Sequence, residues 1–162
     1  MTSTLKPLAL VTGVGPGTGA SVARRFAEGG YRVAMLARNA ERLAALEREI
    51  PDSIAVTCDV TDAAALEQVI AKVGAPKVVV HNAVGGAFGT FQQVEPEVLQ
   101  RNFETNTMAL FHLARLTAPA MVAAGEGAII VTGNTSAQRG RASFAGFAPT
   151  KAAQRILAES LA

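Results

Sequence analysis

Four glycines in eight residues, Thr12-Gly13-Val14-Gly15-Pro16-Gly17-Thr18-Gly19, follow directly on the apolar run Leu8-Ala9-Leu10-Val11. The run reads as a short buried strand. Behind the glycines, Val22, Ala23 and Phe26 have the spacing of one helix face, and Gly29-Gly30 reads as its stop. A glycine loop in that place lets the chain turn tightly and brings backbone N–H groups to a helix N-terminus, where the helix dipole adds to their attraction for an anion. Glycine-rich turns are common, and the competing reading is an ordinary strand-to-helix turn. The position of this loop at the head of a strand–helix unit is what points to the pyrophosphate of a dinucleotide.

Strand and helix then alternate to the end of the chain. Arg32 to Ala37 reads as a second strand, and Asn39 as the cap of a helix whose Leu43, Leu46 and Ile50 share a face before Pro51. Ile54 to Cys58 is a third strand, and Thr61 or Asp62 caps a helix with the stripe Leu66, Val69, Ile70 and Val73. Lys77 to His81 is a fourth strand. A long helical stretch from about Pro96 to Ala124 carries Leu99, Phe103, Leu110, Leu113 and Met121; Ala128 to Thr132 is a fifth strand, and a last helix runs from about Phe147 to the end. Strands separated by helices pair in parallel through right-handed crossovers, and runs such as Val78-Val79-Val80 suit a sheet covered on both faces. The expected fold is α/β, a Rossmann-type doubly wound parallel sheet in a single nucleotide-binding domain over 1–162. That fold uses six strands and five are readable here before the chain stops inside a helix at Leu161-Ala162. At least one C-terminal strand is therefore expected to be missing, or the open edge to be covered by something else.

At 162 residues with 49% hydrophobic and 17% charged side chains, the chain is of a size and composition to build a real core. The net charge of +2, with no Lys/Arg cluster, argues against nucleic acid and membrane surfaces as partners. Cys58 is the only cysteine, which excludes an internal disulfide and suits a reducing compartment. The apolar run at the N-terminus is too short for a signal core or a membrane span, so a cytoplasmic location is expected. His81 and His112 lie far apart with no Cys or carboxylate at ligand spacing, and no metal site is expected.

The end of the second strand selects the cofactor. An acid there would bind the ribose 2′-OH of NAD, whereas Leu36-Ala37-Arg38-Asn39 has no acid and one guanidinium, a good partner for the 2′-phosphate of NADP. NADP is therefore expected over NAD, the competing reading being a solvated Arg38 ahead of a helix.

The spacing Gly13-x-x-x-Gly17-x-Gly19, taken with later segments, resembles the short-chain dehydrogenase/reductase family over nearly the whole chain. Thr12 to Gly19 matches that family's Thr-Gly-x-x-x-Gly-x-Gly loop. Asp59-Val60 resembles its adenine-contacting Asp-Val pair, and His81-Asn82-Ala83-Val84-Gly85 a variant of its Asn-Asn-Ala-Gly segment. The resemblance puts Asn106 where a helix Asn holds a water of the proton relay, and Lys151 at the Lys of Tyr-x-x-x-Lys. It implies a cofactor site made of Thr12, Gly13, Gly15, Gly17, Thr18, Gly19, Arg38, Asp59, Val60, Asn82, Ala83 and Lys151.

Two positions depart from that pattern. The family's catalytic Tyr falls on Phe147, in Phe147-Ala148-Pro149-Thr150-Lys151, and its Ser, thirteen residues earlier, falls on Asn134. A phenyl ring cannot exchange a proton, and general acid–base catalysis is worth typically ~10²–10⁴-fold. The resemblance thus implies an NADP-dependent oxidoreductase acting on a small carbonyl or alcohol, homo-oligomeric at full length, in which Asn134, Ser136 or an ordered water polarises the substrate oxygen in place of Phe147. The alternatives are a non-catalytic dinucleotide-binding or assembly subunit and an inactive fragment of such an enzyme. Phe144, Phe147 and Lys151 also have helical spacing, which would make Phe147 a packing residue.

Overall fold

A computed structural model describes residues 6–162. The strands are β1 (Leu8–Thr12), β2 (Arg32–Ala37), β3 (Ser53–Thr57), β4 (Val78–His81) and β5 (Ala128–Val131), all parallel, in the order β3-β2-β1-β4-β5. The order reverses between β1 and β4, so a crevice opens at their C-terminal ends, where ligands bind in sheets of this kind. The glycine loop leaves β1 at that point.

The pleat divides each central strand between two cores. Leu8, Leu10, Leu36 and Val79 pack on one face with Leu66, Val69 and Val73 of α3 (Ala63–Val73) and with Ala109 and Leu113 of α5 (Ala109–Ala124). Ala9, Val11, Met35 and Val80 pack on the other with Ala20 and Ala23 of α1 (Thr18–Glu28) and Leu43 and Leu46 of α2 (Ala40–Glu49). The sequence alternates strand and helix because the central strands need a helix over each face to dry them. Asn39 caps α2 by accepting from the Arg42 N–H at 2.9 Å. Asp62 rather than Thr61 caps α3, accepting from the Ala65 N–H at 3.0 Å. Cys58 is a buried member of the first core.

The long helical stretch is real but not uniform. It runs as α4 (Pro96–Phe103), a π-turn (Glu104–Met108) and α5. Leu110 and Leu113 are buried as the periodicity requires, whereas Leu99 and Phe103 are 36% and 39% exposed and do not belong to the core. By length and a mean hydropathy of 1.2 this 29-residue helix could cross a membrane, yet α5 lies across α3 and β4 as part of the core layer. The last helix, α6 (Ala148–Ser160), packs against the π-turn and a short 3₁₀ turn (Thr135–Ala137).

The two sheet edges differ. At β3 the Glu47 carboxylate of α2 accepts from the Ala55 N–H at 2.7 Å, taking a donor in the middle of that strand. At the other edge β5 has Ala128 and Ile130 exposed, Ile130 by 45%.

Candidate functional site

A cleft of about 990 Å³ lies over the C-terminal ends of β1, β2 and β4. Its floor is the glycine loop. Gly13 has φ +66°, and a Cβ there would stand 2.4 Å from the Ala83 Cα, so only glycine permits this closeness of the β1 and β4 exits. Gly19 is held likewise: its Cβ would meet the Gly13 carbonyl oxygen at 2.6 Å, which keeps α1 tight against the loop. Gly15 and Gly17 are different. A Cβ on either would meet nothing within 4 Å, because both face the open cleft. That is a cradle a side chain would fill. Helix α1 begins there with no side-chain cap and no acid in its first turn, so its leading N–H groups are available to an anion. The residues present fit a dinucleotide pyrophosphate.

At the β2 end of the cleft stand Arg38, Asn39 and Arg42, and opposite them Cys58, Asp59, Val60 and Thr61. Arg42 was not singled out by the sequence, since a basic residue in a helix is ordinarily solvated. The Asn39 cap sets the helix register that turns it to the same cleft as Arg38. Asp59 is held below the usual carboxylate range, first by the Thr61 backbone N–H at 3.0 Å, then by the Thr61 hydroxyl at 2.9 Å and the nearby Arg38 charge. Asn82, Ala83, Gly85 and Gly86 line the β4 side.

Thr12 behaves otherwise than a cofactor ligand. It is fully buried and does not reach the cleft. Its oxygen accepts from the Asn82 and Ala83 N–H groups at 3.2 and 3.3 Å, and it lies 3.0 Å from His81 Nδ1. His81 Nε2 lies 3.1 Å from the Thr105 carbonyl, which can only accept. Nε2 therefore carries the proton, and Nδ1 accepts from the Thr12 hydroxyl. Burial is the main reason the His81 pKa falls to about 4, with the Lys151 charge acting in the same sense. The imidazole is a neutral tie between the glycine loop, β4 and the π-turn.

The π-turn positions the remaining candidates. Asn106 is fully buried. Its amide N–H groups donate to the Gly85 carbonyl and the Thr150 hydroxyl, both at 2.8 Å, and its Oδ1 accepts from the Gly85 N–H at 3.0 Å. Lys151, 3% exposed, donates from Nζ to the Thr132 carbonyl at 2.8 Å and to Gln154 Oε1. Burial lowers its pKa. Among the described residues it forms no ion pair. Gln154 in turn donates from Nε2 to the Asn106 carbonyl at 2.8 Å.

Phe147 stands just before α6, 8% exposed, its ring against Gly86 and 6.0 Å from the Phe88 ring. Phe144 precedes the helix, so the spacing that suggested a shared helical face arises from a turn; its ring meets Phe88 edge-on at 5.2 Å. A parallel bridge, Gly89 N–H to Ser143 and Ala145 N–H to Gly89, latches the segment after β4 to the one before α6. Asn134 is exposed and its Oδ1 accepts from the Ser136 N–H at 2.9 Å, its NH₂ having no partner among the described residues. Ser136 Oγ is buried without a partner, and the residue lines a separate cavity of about 350 Å³. Sequence placed Asn134 and Ser136 together; the structure exposes the first and buries the hydroxyl of the second, and neither lines the main cleft.

Sheet order, glycine cradle and cleft define a dinucleotide-binding α/β protein. A short chain dehydrogenase family model matches residues 7–162, and the chain belongs to that family. It is 34% identical over 155 residues to the D-erythrulose reductase of Gallus gallus, covering 95% of this chain and 63% of that protein. It is 32% identical to the L-xylulose reductase of Bos taurus, covering 95% and 64%. A metagenomic short-chain oxidoreductase solved with NADP superimposes with TM-score 0.89 at 33% identity, covering 98% of this chain and 76% of that one. The short-chain dehydrogenase of Sphingobium yanoikuyae with NADPH gives 0.88 at 32%, covering 96% and 64%. The chain thus spans less than two thirds of the length of these curated relatives.

Proposed function

We propose that this chain forms the nucleotide-binding part of an NADP(H)-dependent oxidoreductase acting on a small carbonyl or alcohol, with the proton handled by a group other than residue 147. The observation that carries this reading is the cleft itself. Two guanidinium side chains, Arg38 and Arg42, stand at the end of β2 across the cleft from Asp59, and the open glycine cradle lies between them and β4. NADP and NADPH in the neighbouring structures support the cofactor, and the reductases among the relatives support the reaction class.

When bound, NADPH supplies a hydride to the carbonyl carbon and is oxidised as the carbonyl becomes an alcohol. Arg38 and Arg42 would hold the 2′-phosphate, the N–H groups at the head of α1 the pyrophosphate, and Asp59 and Val60 the adenosine. Lys151 would hold the nicotinamide ribose. Position 147 cannot donate a proton. The NH₂ of Asn134 is the exposed donor suited to polarise a carbonyl oxygen, and water would supply the proton. Homo-oligomerisation and a cytoplasmic location belong to the same proposal.

A second reading, nucleotide binding without turnover, is favoured by the burial of Phe147 against Gly86 and Phe88. The test is NADPH oxidation with a panel of aldehydes and ketones by the full-length protein, its Phe147→Tyr variant and Phe147→Tyr/Lys151→Ala. Phe147→Tyr adds a hydroxyl whose pKa, ordinarily near ~10, a neighbouring Lys charge would lower. Reduction should rise toward the ~10²–10⁴-fold range of general acid catalysis and fall back in the double variant. If the unaltered protein is already competent and the Tyr variant no better, position 147 is not the catalytic gap. If neither turns over yet both bind NADPH, the second reading stands.

A further inference from the structure

Lys151 is a buried cation with no carboxylate partner among the described residues, and a buried ammonium needs acceptors for its three N–H bonds. Thr132 on the exit of β5 offers one carbonyl. The other acceptor is Gln154, one turn further along α6 and 1% exposed, whose two amide ends do different things. Its oxygen takes the Lys151 ammonium, and its nitrogen donates to the main-chain carbonyl of Asn106 in the π-turn at 2.8 Å. The π-turn presents two consecutive carbonyls to side chains of other elements, Thr105 to His81 and Asn106 to Gln154. Among the described residues Gln154 is therefore the one side chain joining the site's cation to the site's widened helical turn.

We propose that Gln154 is a positioning residue of the cofactor site: its amide bridges Lys151 Nζ and the Asn106 carbonyl, holding the ammonium charged and in place with one N–H left for a bound ligand. The inference rests on the reading of Lys151 as a cofactor contact. An amide neither gains nor loses a proton near neutral pH, so this bridge orients Lys151 without offering it a proton path. The titratable group facing Lys151 from β4 is His81, which is neutral; Thr132 on β5, Asn106 on the π-turn and Gln154 on α6 are uncharged.

The test has two readouts on the full-length protein. The first is the ligand-free titration of the Lys151 Cε resonance by NMR from about pH 6 to about pH 11, assigned by comparison with Lys151→Arg. Gln154→Leu removes the acceptor and should lower the Lys151 midpoint. Gln154→Glu keeps the shape, supplies a charge and should raise it. The second readout is the NADPH Kd by fluorescence titration, with Lys151→Met as reference. Gln154→Leu should weaken binding about tenfold, as loss of a hydrogen bond to a charged group implies. A Lys151 midpoint unmoved in both Gln154 variants overturns the proposal. Should Gln154→Leu not fold, an unmoved midpoint in the near-isosteric Gln154→Glu alone overturns it. If Lys151→Met binds NADPH as tightly as the unaltered protein, the cofactor reading of Lys151 fails, while the Lys151 midpoints still decide the role of Gln154.

Discussion

His81 carries an ionisable ring in a place where its charge has no support. The folded state holds it neutral down to about pH 4, while an unfolded chain protonates near pH 6.5. Between those values the unfolded state binds a proton that the folded state refuses, so stability falls as the pH drops through that window and is flat above it. The loss is on the order of 3 kcal/mol once pH 4 is reached. Urea midpoints at pH 7 and pH 4.5 should show it, and His81→Asn should remove that part of the difference; an unchanged pH dependence in the variant would count against this account. At this scale the sequence was readable where a motif frames the residue. Asn106 and Lys151 were singled out that way, and Gln154 links them, bonded to the Lys151 ammonium and to the Asn106 carbonyl. Gln154 itself carried no signal, since a Gln in a helix is ordinarily solvated, and Arg42 became visible only once the Asn39 cap fixed its direction. The sequence did not show that Ser136 falls in a 3₁₀ turn with its Oγ buried, since two hydroxyl-bearing residues after a strand carry no periodic signal.

Among the elements, the π-turn between α4 and α5 is the one that periodicity could not reveal. Its residues continue a helical pattern, and only the inserted register separates the half-exposed Leu99 and Phe103 from the buried Leu110 and Leu113. Such turns sit at functional sites because they open the backbone to partners outside the helix. Here they also set Asn106 across both backbone groups of Gly85. Asn106→Ala would leave the Gly85 N–H and C=O and the Thr150 hydroxyl short of partners, and it should cost about 2–4 kcal/mol. Guanidinium or thermal denaturation measures that directly, against about 1 kcal/mol for Asp62→Ala, which removes the α3 cap alone. Equal losses in the two variants would mean that the clamp on Gly85 adds nothing beyond a local cap. The strands needed no such correction beyond a residue at their ends, because a buried parallel strand is an apolar run between turn residues.

For the whole molecule, the cleft and the stability are linked. A ligand that binds only the folded chain stabilises it by about 2.7 kcal/mol at a hundred times its Kd. NADPH at a fixed concentration should therefore raise the melting temperature more than NADH, and Arg38→Ala should erase most of the difference. Equal shifts from the two cofactors in the unaltered protein would remove the basis for assigning Arg38 and Arg42 to the 2′-phosphate. The parallel architecture was legible from the alternation of strands and helices, and the glycine loop marked the cleft. The two sheet edges were not, since their difference depends on one carboxylate that reaches across from α2. That carboxylate has a consequence at the β3 edge: with the Ala55 donor already engaged by Glu47, a strand arriving from another molecule finds one main-chain donor fewer to pair with there.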